Sequence, residues 1–249
     1  MKPAPKRRDA LRAGPAAIET SSPLATRWPD VSSILVRQPW DSLVPHLLKV
    51  GANTDQVVPR LRRYCELLLQ WNRKVSNLIS RNDENRIVSR HLQESLEPAH
   101  WLHSSGADRW LDFGSGGGLP AIPLAIAGVG AQWTLVESRR TKTLFLRKAI
   151  EELEITTVTV VLARLEEMLI QQEHAFGYSG FTSRATLPLA PTLSMAASVV
   201  RPAGVAFLWK GSKREEEMTA DASWRLNWDY DGLLGIGDGT TTVARFIRK

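Results

Sequence analysis

After Gly106 the hydrophobic rhythm of this chain switches repeatedly between two periods. Short apolar runs, "RWLDFG", "QWTLVES", "TVTVVLA", "GFTSRA" and "GVAFLWKG", read as strands. Between most of them lie segments with apolar residues three and four apart, such as "PAIPLAIAG", "RTKTLFLRKAIEELE" and "TLSMAASVV", which read as helices. Strands separated by helices pair in parallel and bury both faces of the sheet, because each helix crosses over one face before the chain returns. Residues 106–249 are therefore expected to form one α/β, Rossmann-like domain: a mostly parallel sheet with helices on both faces. The strand "TTTVARFIRK" enters from a long loop and is expected to run antiparallel.

The preceding residues follow other rules. Residues 1–38 are rich in Pro, Ala, Ser and Arg and hold no period, so they read as a disordered arm. "KRR" at 6–8 reads as part of a solvated tail, and the scarcity of acids leaves a transit peptide open as another reading. From Thr54 to Leu78 apolar residues recur at helical spacing, and a second helical segment is expected over Asn85–Leu102. Residues 39–105 thus read as a small helical lobe. Arg60, Arg62, Arg63, Arg73 and Lys74 fall mostly off the apolar stripe and are candidates for RNA phosphates. The chain of 249 residues, 43% hydrophobic, is long enough for one core plus such a lobe. It has no run of about 18 apolar residues, which excludes a membrane helix. The N-terminus lacks the apolar middle of a secretory signal. A single cysteine, Cys65, excludes an internal disulfide and a cysteine-built zinc site, and fits a reducing cytoplasm. A surplus of 6 positive charges leaves polyanion binding open.

The first strand runs into Asp112-Phe113-Gly114-Ser115-Gly116-Gly117-Gly118-Leu119-Pro120 before a helix. In an open α/β sheet ligands bind beyond the carboxyl ends of the strands, and glycine there lets a ligand approach backbone. Gly116-x-Gly118-x-x-Ala121 fits a dinucleotide fingerprint, so NAD is one reading. Against it, Pro120 and Pro123 remove amide donors where a pyrophosphate needs them, and Asp112 repels phosphate. That carboxylate suits a ligand carrying ammonium and sulfonium charge, as S-adenosylmethionine does. Glu137, ending the second strand, can accept ribose hydroxyls in either ligand. Asp-x-Gly-x-Gly followed by a strand-end acid is a signature of S-adenosylmethionine-dependent methyltransferases.

The acceptor is constrained by what is missing. No Asn/Asp-Pro-Pro-aromatic motif for adenine amino groups stands near "FTSRATLP". Carbon-5 of a pyrimidine needs a cysteine nucleophile, and Cys65 lies on the buried stripe of a helix. Guanine N7 carries a free lone pair and demands orientation, not a base.

Several blocks, in order, carry a resemblance. They are "LLLQWNRKVSNLIS", "SRHLQESL", "LDFGSGGGLPAIPL", "LVESRRTKTLFL", "ARLEE", "TSRA" and "LWKG". Residues 55–249 resemble the bacterial 16S ribosomal RNA guanine-N7 methyltransferases, the glucose-inhibited division protein B family. Ile79 stands where the family usually has Thr, and Glu137 where many members have Asp. The resemblance implies that Gly114, Leu119, Leu165, Glu166 and Arg184 line the cofactor, with Glu166 toward an adenine ring. It implies small-subunit ribosomal RNA, naked or in the 30S particle, as partner, and a cytoplasmic setting. Asp112, Gly116 and Glu137 complete the expected cofactor site. Arg184 is the expected catalytic residue, where base and cofactor meet, and its removal is expected to hurt transfer far more than folding. His91 is expected to pack or to touch RNA backbone. No metal is called for. A dinucleotide-binding oxidoreductase and a non-catalytic RNA-binding protein on a methyltransferase scaffold remain the rival readings.

Overall fold

The computed structural model describes residues 29–164, 167, 176–237 and 239–249. Seven strands form one sheet: β1 (Arg109–Phe113), β2 (Gln132–Glu137), β3 (Val158–Leu162), β4 (Tyr178–Arg184), β5 (Val200–Lys210), β6 (Trp228–Ile236) and β7 (Thr241–Arg248). Their order is β3-β2-β1-β4-β5-β7-β6. The pairs among β1 to β5 are parallel, and β7 is antiparallel to both β5 and β6, as expected for the late strand. The chain reverses its direction of travel across the sheet between β1 and β4. Their carboxyl ends therefore leave the crevice in which such sheets take ligands.

Alternation along the strands sorts side chains to two cores. Trp110, Trp133, Leu135, Phe207 and Val243 point to one face; Leu111, Val136, Leu208, Ala244 and Phe246 point to the other. The first face is covered by α6 (Ala121–Ile126), α7 (Arg140–Glu152) and the N-terminal helices, all in one continuous apolar cluster. The second is covered by a helix over Leu189–Val199 with Trp224 and Trp228.

The N-terminal helices are α1 (Val31–Val36), α2 (Val44–Leu48), α3 (Thr54–Lys74), α4 (Gln93–Leu96) and α5 (Ala99–His103). The arm predicted over 1–38 is thus corrected at its end. α1 is helical, capped by the Asp30 carboxylate on Ser32 N–H, and buries Ile34 and Leu35. α3 starts where the Asn53 side chain accepts from Asp55 and Gln56. It stops at Lys74 because buried Asn72 offers its Oδ1 to the amides of Leu78 and Ile79, at 2.6 and 3.0 Å, and turns the chain. The helix expected over Asn85–Leu102 is broken: a 3₁₀ turn (Arg81–Arg86), a π-helical stretch (Ile87–Leu92), α4, and α5 after Pro98. Of the five basic residues off the α3 stripe, four have partners within the protein. Arg60 donates to Leu153 O, Arg63 pairs with Glu66 and Glu152, Arg73 with Glu84, and Arg62 lies over Trp40. These arginines fasten α3 to its neighbours.

Candidate active site

The turn after β1 is made by glycines in the left-handed region, Gly114 at φ +69° and Gly116 at +55°. It is hooked to β2 by Gly114 N–H and Ser115 N–H on Val136 O. Glu137 is buried, and its carboxylate accepts from Gly116 N–H at 2.9 Å and Arg139 N–H at 2.8 Å. Each carboxylate oxygen keeps a lone pair, so ribose hydroxyls can add to that set. Asp112 lies under the turn, 1% exposed. Thr182 Oγ1 donates to its Oδ1 at 2.7 Å, and Oδ2 has no partner among the described residues. Burial pushes this carboxyl up to about 6.

Arg184 ends β4 on the other side of the switch point. Its side chain, 15% exposed, reaches α4 and the π-helical stretch, where Nη2 donates to Glu94 Oε2 and to His91 Nδ1. Nη1 has no partner among the described residues. Arginine only donates, so His91 Nδ1 must be the acceptor and the imidazole is neutral. Burial, with the Arg184 charge, pushes His91 down to about 3. With Nδ1 occupied and Nε2 carrying the hydrogen, this ring has no lone pair free to take a proton. Ala185 follows at φ +54°, turning the chain out of β4.

The two halves meet in one cleft of about 220 Å³, lined by Gly114–Gly117, Leu119, Lys142, His91 and Arg184. Of the residues predicted from sequence, Gly114, Gly116, Leu119 and Arg184 line it, and Asp112 and Glu137 are buried beside the same turn. Leu165 and Glu166 lie outside the described residues. The donors and acceptors present suit S-adenosylmethionine. An unpartnered buried carboxylate oxygen at Asp112 suits an ammonium, an unpartnered guanidinium nitrogen at Arg184 suits a carboxylate, and Glu137 suits a ribose. Sequence reasoning missed three supports. Thr182 holds Asp112, Glu94 holds Arg184, and Tyr64 donates from α3 to Gly117 O. Glu94 stands inside the block "SRHLQESL", but nothing there says that it pairs with Arg184.

The sheet order, the glycine turn and the strand-end acid together define a Rossmann-like methyltransferase. Among solved structures the fold is shared with an O-methyltransferase from Bacillus cereus in complex with SAH, at TM-score 0.55 and 19% identity over 75% of this chain and 91% of that one. It is shared as well with an O-methyltransferase from Klebsiella pneumoniae described as putative, at TM-score 0.54 and 16% identity over 77% and 90%. The family described as rRNA small subunit methyltransferase G (GidB) matches residues 57–227, and this chain belongs to it. A ribosomal RNA small subunit methyltransferase G of Pseudomonas entomophila is 43% identical over 62% of this chain and 69% of its own length. The Xanthomonas campestris protein of the same name is 35% identical over 80% and 86%. The resemblance read from the sequence blocks is borne out, and the dinucleotide reading gives way to it. Among the described residues no helix is long and apolar enough to cross a membrane.

Proposed function

We propose that this chain methylates N7 of a guanine in small-subunit ribosomal RNA, free or in the 30S particle, in the cytoplasm, using S-adenosylmethionine. The observation that carries this reading is the pairing of a cofactor-type glycine turn with a cleft whose histidine, among the described residues, is not free to act as a base. Of the two titratable side chains that Arg184 touches, His91 has its Nδ1 lone pair engaged and Glu94 is held by the guanidinium. Bound S-adenosylmethionine supplies an electrophilic methyl group on sulfonium. The chain's own work is orientation. Asp112, Gly116 and Glu137 hold the cofactor from below, and Arg184, braced by Glu94, fixes the angle between cofactor and base. N7 attacks with a lone pair that carries no proton, so no residue has to remove one. Guanine N7 lies in the major groove, which is too deep and narrow for side chains in A-form RNA, so the base is presented from a loop or out of its stack.

The test has two arms. Calorimetry should give S-adenosylmethionine binding and no NAD binding. Mass mapping of ribosomal RNA from cells lacking the protein should show loss of one N7-methylguanine, restored by the wild-type gene. NAD binding alone, or an unchanged methylation map, overturns the reading. The rival of a non-catalytic RNA-binding scaffold predicts cofactor binding without any change in that map.

A further inference from the structure

A second cavity, about 330 Å³, opens beyond Ala185 and shares that residue with the cofactor-side cleft. It lies over the carboxyl ends of β4 and β5. Its wall carries an unlike pair, Lys210 from the end of β5 and Glu217 from the short helix Arg214–Ala220. Lys210 Nζ donates to Glu217 Oε2 at 2.7 Å and to Leu187 O at 2.9 Å, which leaves its third hydrogen unused. Glu217 Oε2 also accepts Leu189 N–H at 2.8 Å, while Oε1 makes no hydrogen bond among the described residues. The wall therefore offers one charged donor beside one charged acceptor.

That pattern matches the Watson–Crick edge of guanine; uracil offers a like acceptor and donor in O4 and N3–H but lacks the 2-amino group. Guanine presents O6 as acceptor next to N1–H and the 2-amino group as donors. Adenine presents the reverse at the first two positions, an amino donor next to the N1 lone pair. Guanine N7 sits on the other ring, so a base entering with its Watson–Crick edge first keeps N7 outward. We propose that this cavity is the guanine subsite, with Lys210 donating to O6 and Glu217 accepting from N1–H and the 2-amino group. The proposal rests on the methyltransferase reading above and adds how the base is chosen. An adenine in the same place would set its N1 lone pair against a carboxylate and its amino group against the third hydrogen of Lys210, a mismatch that polar sites reject strongly.

Inosine tests it, because it keeps N7, O6 and N1–H and lacks only the 2-amino group. Small-subunit particles are reconstituted with guanosine or inosine at the position that the wild-type protein methylates, and single-turnover rates are compared. Wild type should prefer guanosine by about tenfold or more, the worth of a hydrogen bond to a charged acceptor. Glu217→Gln should slow guanosine methylation by about 100-fold or less and narrow the preference to about threefold, with S-adenosylmethionine affinity unchanged. Equal wild-type rates on guanosine and inosine overturn the subsite. A variant that slows both substrates by one factor overturns it too, since Glu217 would then merely clasp its helix to β5. The wild-type comparison needs no variant and stands even where Glu217→Gln fails to fold. If wild type methylates no guanine at N7, the methyltransferase reading itself has failed, and the two failures are told apart.

Discussion

The glycine turn and the Arg184 junction face the same cleft but are built from opposite materials. The turn is backbone: amides, left-handed glycines and the absence of side chains. The junction is side chain: the Glu94 carboxylate and the His91 imidazole, three residues apart, meet the Arg184 guanidinium from 90 or more residues further along the chain. The difference sets how each fails. A backbone site fails by crowding, when an added atom takes the space a ligand or neighbour needs. A charge site fails by desolvation, when one partner is removed and the other is left buried alone.

The junction should show the larger effect. Arg184→Ala leaves the Glu94 carboxylate, 8% exposed, with only Arg90, 4.0 Å away, as a cation, which should cost about 3 kcal/mol of stability. The double variant Arg184→Met with Glu94→Met should recover most of the stability in urea denaturation. Its methyl transfer should stay about 100-fold down, since positioning is not restored. Recovered activity would mean that Arg184 only braces the fold.

Next comes the turn. A Cβ on Gly114 would collide with Thr186 Cγ2, at a φ that side chains rarely adopt. Gly114→Val should cost about 3 kcal/mol in cofactor binding, roughly 100-fold in Kd by calorimetry. Near-normal affinity would show that the ligand never approaches this backbone.

pH separates the two regions by sign. Between its ordinary 6.5 and its folded value of about 3, His91 binds a proton in the unfolded chain only, so it removes stability as pH falls. Asp112, lifted from 3.8 to about 6, holds its proton longer in the folded chain, so across that interval it removes stability as pH rises. The slopes oppose one another in wild type. In Asp112→Asn, stability should fall as pH drops below about 6.5. In His91→Asn, it should fall as pH rises from about 4 to 6. Each slope approaches about 1.4 kcal/mol per pH unit. Parallel pH profiles for the two variants would break the assignment.

The smallest change blurs the contrast. Tyr64→Phe removes the hydrogen bond by which α3 reaches the turn at Gly117 O. It should cost about 1 kcal/mol of stability and weaken cofactor binding only a few-fold. A larger loss of affinity would show that the turn is held from outside as much as by its own glycines.

That contrast also explains what could be read from the residues alone. The turn, Asp112 and Glu137 were legible because a strand, a glycine run and a strand-end acid lie within one βαβ unit. Glu94 beneath Arg184 and Glu217 beside Lys210 were not, because their pairing depends on which elements the fold brings together. β6 escaped as a strand: "WDYDGLLGI" has glycines and aspartates, and at the sheet edge most of its side chains stay exposed. The break-up of the second helical segment was hidden for a related reason. Its apolar spacing suits a helix, but Asn72 and Pro98 redirect the chain around it.

The sheet order has a consequence for synthesis. β7 follows β6 in the chain yet lies between β5 and β6 in the sheet. As the polypeptide leaves the ribosome, β6 emerges with no strand to join, and the flank of β5 stays open with Phe207 and Trp209 on one face and Leu208 on the other. Until β7 arrives, the nascent molecule carries a sticky apolar border, the kind that recruits neighbouring chains. Translation that stalls between β6 and β7 therefore leaves the most aggregation-prone form of the protein, although nearly all of the cleft's residues have already been made.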